Sequence, residues 1–141
     1  MSFGAAASRR HRIPASDDRC PCGGATFAEC CAPILAGAHA ETPVVLMRSR
    51  YTAFAIGDIA HLRRTWHSRT RPSDLDLDDE TTWTGLSIVD ARGGAADSDG
   101  VVEFRARWRT PRTAGQLHER SRFTRVGQRW MYVDGEVMET A

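Results

Sequence analysis

Between Thr42 and Gly57 the apolar residues Val44, Met47, Tyr51, Phe54 and Ala55 recur at helical spacing and share one face. Thr42 supplies an N-cap hydroxyl, Pro43 occupies the first helical position and Gly57 is a typical terminating residue, so the pattern predicts a helix over residues 43–56. Asp58 is placed to cap a second, shorter helix through Ile59, Leu62 and Arg63. The acidic stretch 68–79 shows no period. From Trp83 onward the period changes to two. Trp83 to Val89 reads as a first strand. Residues 101–108 alternate strictly, with Val102, Phe104, Ala106 and Trp108 on one side and Glu103, Arg105 and Arg107 on the other. Gln116 to Thr124 and Trp130 to Val133 complete the set, separated by turns containing Gly115 and Gly127. Helices followed by strands on short loops predict an α+β domain, an antiparallel sheet covered on one face by helices.

Strand parity adds a chemical expectation. In the segment 116–124, Leu117 and Phe123 are both odd-numbered, which turns Glu119 and Ser121 inward and His118, Arg120 and Arg122 outward. An inward glutamate is costly unless it is paired or hydrated. The first helix carries two cations, Arg48 and Arg50, and Glu119 is expected to meet one of them. With Tyr51, Trp66, His67, Ser121 and Trp130 nearby, these residues would line a partly polar pocket. The same ion pair would also serve simply to fix the helix on the sheet. His67, near the end of the second helix, reads either as a hydrogen-bonded structural residue or as a general base. The outward row Arg105, Arg107, Arg120 and Arg122 reads as a solvated face, partly neutralised by Glu103.

Composition narrows the classes. The chain has 141 residues, 41% of them apolar, enough for one compact domain beside a small appendage. No run of 18 apolar residues occurs, so no membrane span is expected. The net charge of +1 gives no electrostatic reason to expect a nucleic-acid partner. All 19 positive residues are arginine, which codon bias explains more simply than selection for anion binding.

All four cysteines lie in the twelve residues CPCGGATFAECC, from Cys20 to Cys31. Disulfides among them would have to close very small rings, against the geometry such bonds require. Four soft ligands at this spacing suit a tetrahedral zinc ion, with sulfurs about 2.3 Å from the metal. Cys20, Cys22, Cys30 and Cys31 would saturate it and leave no open position, so the site is expected to be structural rather than catalytic. Gly23 and Gly24 would let backbone amides approach the sulfurs, and Arg19 would stand as counter-charge. The arginine-bearing residues 1–18 read as a flexible leader without the apolar stretch of a secretion signal, and a cytoplasmic location is expected.

Taken together, these blocks resemble the YchJ-like family of bacterial proteins. The cysteine segment is similar to a SEC-C motif, and behind it come LMRSRYTAF (Leu46 to Phe54), TWH (Thr65 to His67), WTGL from Trp83, LHERSRF (Leu117 to Phe123) and RWMYVDG (Arg129 to Gly135). The resemblance covers roughly residues 19–136. The loop between Cys22 and Cys30 has seven residues where many SEC-C motifs have eight, which shortens the knuckle and keeps every ligand position. The resemblance implies a zinc-binding N-terminus followed by a cone-shaped domain similar to nuclear transport factor 2, of the cystatin-like kind, with a curved sheet and helices around a pocket. The expected division is a leader over 1–18, a knuckle and linker over 19–40 and the cone over 41–137.

Two functions follow as expectations. One is a small-ligand-binding or adapter protein, with a structural zinc knuckle that offers a surface to a protein partner and a cone that takes a small molecule. The other is a small cone-fold enzyme of the hydrolase, isomerase or cyclase kind, with Glu119 or His67 as general base. The chain shows no nucleophile–base–orienter set, which favours binding over catalysis.

Overall fold

The cap residues act as the sequence predicts. Thr42 Oγ1 accepts a hydrogen bond from the Val45 amide at 3.3 Å, and a helix runs over Pro43–Ile56 until Gly57, at φ 82°, ends it. The Asp58 carboxylate accepts from the His61 amide at 3.0 Å and starts the helix Ile59–Arg64. Before them come a 3-10 turn at Phe27–Glu29 and a short helix at Cys31–Leu35, where only knuckle and linker were expected. The helices are α1 (Cys31–Leu35), α2 (Pro43–Ile56) and α3 (Ile59–Arg64). This is a computed structural model, and it describes residues 13–138. Residues 1–12 of the expected leader therefore lie outside the described residues.

Four strands follow: β1 (Thr82–Arg92), β2 (Asp99–Arg109), β3 (Ala114–Val126) and β4 (Arg129–Val137). They form one antiparallel meander in the order β1-β2-β3-β4. Each is longer than its apolar pattern, because ladder hydrogen bonds continue past the buried residues into exposed ends. Alternation in β2 holds, with Val102, Phe104 and Ala106 buried and Arg105 and Arg107 exposed. In β1 it breaks. A register shift between Trp83 and Gly85 changes parity, so odd-numbered Trp83 and even-numbered Leu86 and Ile88 all pack against the core. A second shift, opposite Arg122 and Phe123, pairs Phe123 with Tyr132 but Arg122 with Asp134. The shift lets Tyr132 join the pocket lining while Asp134 meets Arg122 on the outer face.

Helix α2 is buried on nearly every side: Leu46, Met47, Ser49, Arg50, Tyr51, Thr52 and Ala53 are all inaccessible. The single apolar face expected from the sequence is thus an underestimate. The reason is architectural, since the sheet and the knuckle pack against different sides of the same helix. Leu46, Met47, Phe104, Phe123 and Trp130 form one core with Phe27 and the cysteines. On the outer sheet face Arg120 reaches Glu103 at 2.9 Å and Asp90 at 3.4 Å, and Arg122 reaches Asp134 at 2.7 Å. That row is neutralised more fully than Glu103 alone would allow. His118 and then Arg120, both hydrogen-bonded to Glu103, hold its carboxyl below the usual range. No helix among the described residues is long and apolar enough to cross a membrane.

Candidate functional site

The four cysteine sulfurs lie within 4.8 Å of one another, with Cys22–Cys30 at 3.5 Å and Cys30–Cys31 at 4.0 Å. A tetrahedral zinc would set sulfurs about 3.8 Å apart, so one centre fits this cluster. All four are free thiols. Hydrogen bonding from Cys31 holds the Cys22 thiol well below its ordinary range. The Cys31 thiol is pushed up by its bond to Cys22, and the Cys30 thiol chiefly by burial. One negative charge is thus easily shared in the cluster, while four thiolates together require a cation. The chain folds tightly here. The Cys20 amide donates to Ala25 O and the Phe27 and Ala28 amides to Asp18 O and Ser16 O, which draws residues 16–18 into the knuckle. A Cβ on Gly24 would stand 2.9 Å from the Cys30 sulfur, so the backbone passes where no other side chain fits.

Helix α2 closes the cluster from behind. Thr52 Oγ1 donates to the Cys31 sulfur at 3.3 Å and lies 3.8 Å from that of Cys20. Arg48 Nη1 donates to Cys22 O at 3.1 Å and to its sulfur at 3.8 Å. The counter-charge at the sulfurs is therefore Arg48. Arg19 instead reaches Gly23 O at 3.4 Å.

On the opposite side of α2 a cavity of about 210 Å³ opens between helix and sheet. Its walls are mostly rings and aliphatic groups, among them Tyr51, Phe54, Trp66, Trp83, Phe104 and Tyr132. Trp66 enters because Thr65 and His67 bracket Tyr132 of β4 with backbone hydrogen bonds of 2.8 Å each. The polar contribution comes from Arg50, Glu119 and Ser121. Arg50 is 3% exposed and donates through Nη1 to Leu62 O at 2.9 Å and to Thr65 Oγ1 at 2.7 Å. Its guanidinium carbon stands 5.0 Å from the Trp66 ring centre and 4.4 Å from that of Tyr132. Burial lowers its pKa to about 10, so it stays charged at neutral pH. Ser121 donates to Glu119 Oε2 at 2.7 Å, and the Tyr132 hydroxyl to the same oxygen at 3.4 Å. Burial, and then the charge of Glu119, raise the Tyr132 phenol and keep it protonated. Burial likewise pushes Tyr51 up to about 12.

Of the residues singled out from sequence, Arg50, Tyr51, Trp66, Glu119 and Ser121 line this cavity together. Three others do not. Arg48 projects to the cysteines, because it lies on the knuckle side of α2. His67 has its amide bound to Tyr132 O and its Nδ1 accepting from the Arg69 amide, so the turn after α3 uses it. Trp130 is buried, donates from Nε1 to Glu41 O at 3.2 Å and is covered by Arg125. The expected contact of Glu119 with Arg48 or Arg50 is not made, since no ion pair joins them among the described residues. Arg50 is held by carbonyl and hydroxyl oxygens instead. Sequence reasoning missed Thr52, Tyr132 and His61. Thr52 lies one helical turn beyond Arg48, and Tyr132 shares parity with Trp130, so both had a signal. His61 had none: it is buried, bonded to Ser49 Oγ at 2.9 Å and to Arg64 at 3.1 Å.

The family model for the YchJ middle, NTF2-like domain matches residues 42–135. A UPF0225 protein of Streptomyces coelicolor is 51% identical over 123 residues, covering 85% of this chain and 96% of the relative. Two solved structures are similar, both of SEC-C motif containing proteins. One from Rhodopseudomonas palustris has a TM-score of 0.74 at 32% identity, covering 86% of this chain and 99% of its own. One from Psychrobacter arcticus has a TM-score of 0.72 at 25% identity, covering 89% and 86%. The family model over residues 42–135 and the 51% identity to the Streptomyces coelicolor relative over 85% of the chain mean that this chain belongs to the YchJ-like, UPF0225 family.

Proposed function

We propose that the protein is a small-molecule-binding cone held together at its N-terminus by a structural zinc ion in the Cys20, Cys22, Cys30 and Cys31 cluster. The observation that carries the binding half is the cavity of about 210 Å³, walled by rings and provided with few polar groups. Zinc is the metal that four thiolates at this spacing favour. Free thiols also fit a reducing compartment such as the cytosol. Four protein ligands would complete the ion's shell and leave ligand chemistry to the cone. Native mass spectrometry of protein from its own cell extract tests both halves. One zinc per chain and a retained small molecule are expected, and Ala106→Trp, which fills the cavity, should remove the second mass but not the first. Stoichiometric zinc without any small molecule bound or titratable would sink the binding half, and absence of a transition metal would sink the other.

A second reading, a small cone-fold enzyme, keeps one of its two candidate bases. Glu119 lines the cavity without an ion-pair partner, whereas His67 is engaged in a turn outside it.

A further inference from the structure

We propose that the cone takes a planar aromatic molecule that donates an N–H to Glu119 Oε1; this rests on the reading of the cone as a ligand site. Size sets the first limit. A cavity of about 150 Å³ accommodates benzene, so about 210 Å³ admits a molecule slightly larger than one ring, such as a fused bicycle. The walls set the second. Tyr51 and Trp83 meet edge-on at 6.3 Å, and Trp66 and Tyr132 at 5.0 Å, so flat apolar faces surround the space.

Charge disfavours one class. An aromatic cage with a carboxylate ordinarily invites a cation. Here Arg50 already lies against the Trp66 and Tyr132 rings, and a second cation would meet its charge. An anion would meet Glu119 and the charged Arg50 alike, so charge sets no rule against it. The hydrogen-bond inventory then selects the head group. Ser121 and Tyr132 both donate to Glu119 Oε2, and among the described residues no donor reaches Oε1. The acceptor left over suits a donor from the ligand. Gly135 makes this position available, because a Cβ there would stand 2.1 Å from Glu119 Oε2.

Two isomeric probes isolate the claim: 3-methylindole, which keeps the N–H, and 1-methylindole, which has the same volume and lacks it. Titration of the zinc-loaded full chain by calorimetry should give roughly 10-fold or greater preference for 3-methylindole, as expected for a hydrogen bond to a charged group. Tryptamine, which brings a second cation, should bind more weakly than 3-methylindole. In Glu119→Gln the amide oxygen would take the Ser121 and Tyr132 donors and turn its NH2 toward the ligand, which abolishes the preference. Gly135→Ala, which displaces the carboxylate without altering its charge, should reduce the preference as well. Equal binding of the two isomers to the unaltered chain, or tighter binding of tryptamine, would overturn this inference and leave the cone as a ligand site. If none of the three probes binds at millimolar concentration, this inference fails, and the reading of the cone as a ligand site is decided separately by whether native mass spectrometry finds a retained small molecule.

Discussion

Helix α2 has two working faces, and they are stabilised differently. Toward the knuckle it offers Arg48 and Thr52, polar groups aimed at four sulfurs. Toward the cone it offers Met47, Tyr51 and Phe54, which pack with rings around a cavity. The first face would be completed by a cation that gathers the thiolates. The second rests on apolar burial and would persist without it. One helix thus joins a region whose order would depend on a bound metal to a region whose order depends on packing.

The strongest test of that division is removal of the metal. Chelation at neutral pH should lower the unfolding temperature by on the order of 10 °C. In hydrogen exchange the Cys20, Phe27 and Ala28 amides should lose protection while those of β2 and β3 keep theirs. Loss of both together would show a single cooperative unit. Next comes the core. Phe123, 2% exposed and 5.7 Å from the Tyr132 ring centre, packs in the sheet's centre. Phe123→Ala should cost about 3–5 kcal/mol in denaturant unfolding and leave metal stoichiometry unchanged.

A smaller effect lies in pH. Burial, and then the charge of Arg64, lower the His61 pKa from its ordinary 6.5 to about 4. Between those values the unfolded chain binds the extra proton and the folded chain does not. The contribution is therefore complete above pH 6.5 and declines as pH falls toward 4, by ~3 kcal/mol in all. Unfolding measured across that range should show the slope, and His61→Gln should flatten it. The smallest effect expected is that of Thr52→Val, which removes the bond to Cys31 at little cost in volume. It should cost about 1 kcal/mol with metal bound and much less after chelation; equal losses in both states would break the division between the faces.

Much of this was legible in the chain. Thr42, Gly57 and Asp58 marked the helix ends because capping is local chemistry. Strand parity placed Glu119 and Ser121 on the inner face because a regular pleat leaves no choice. The cysteine spacing announced the cluster. What escaped depended on contacts distant in sequence. The bulge in β1 changed which residues face inward. Arg48 and Arg50, two positions apart, serve opposite sides of α2, and helical spacing alone did not say which side belonged to the knuckle. His61 carried no local signal, because Ser49 and Arg64 surround it only in the fold.

The Arg64 guanidinium also donates to Leu35 O, at the end of α1. With Thr52 and Arg48 it fastens the two halves together by side chains, independently of the covalent connection between them. Ala36, Ala38 and His39 in that connection are exposed. The Ala36, Gly37 and Ala38 amides are bonded back to α1 carbonyls, so the exposed peptide at His39, just past them, is the place where this chain should accept an inserted peptide or a nick without coming apart.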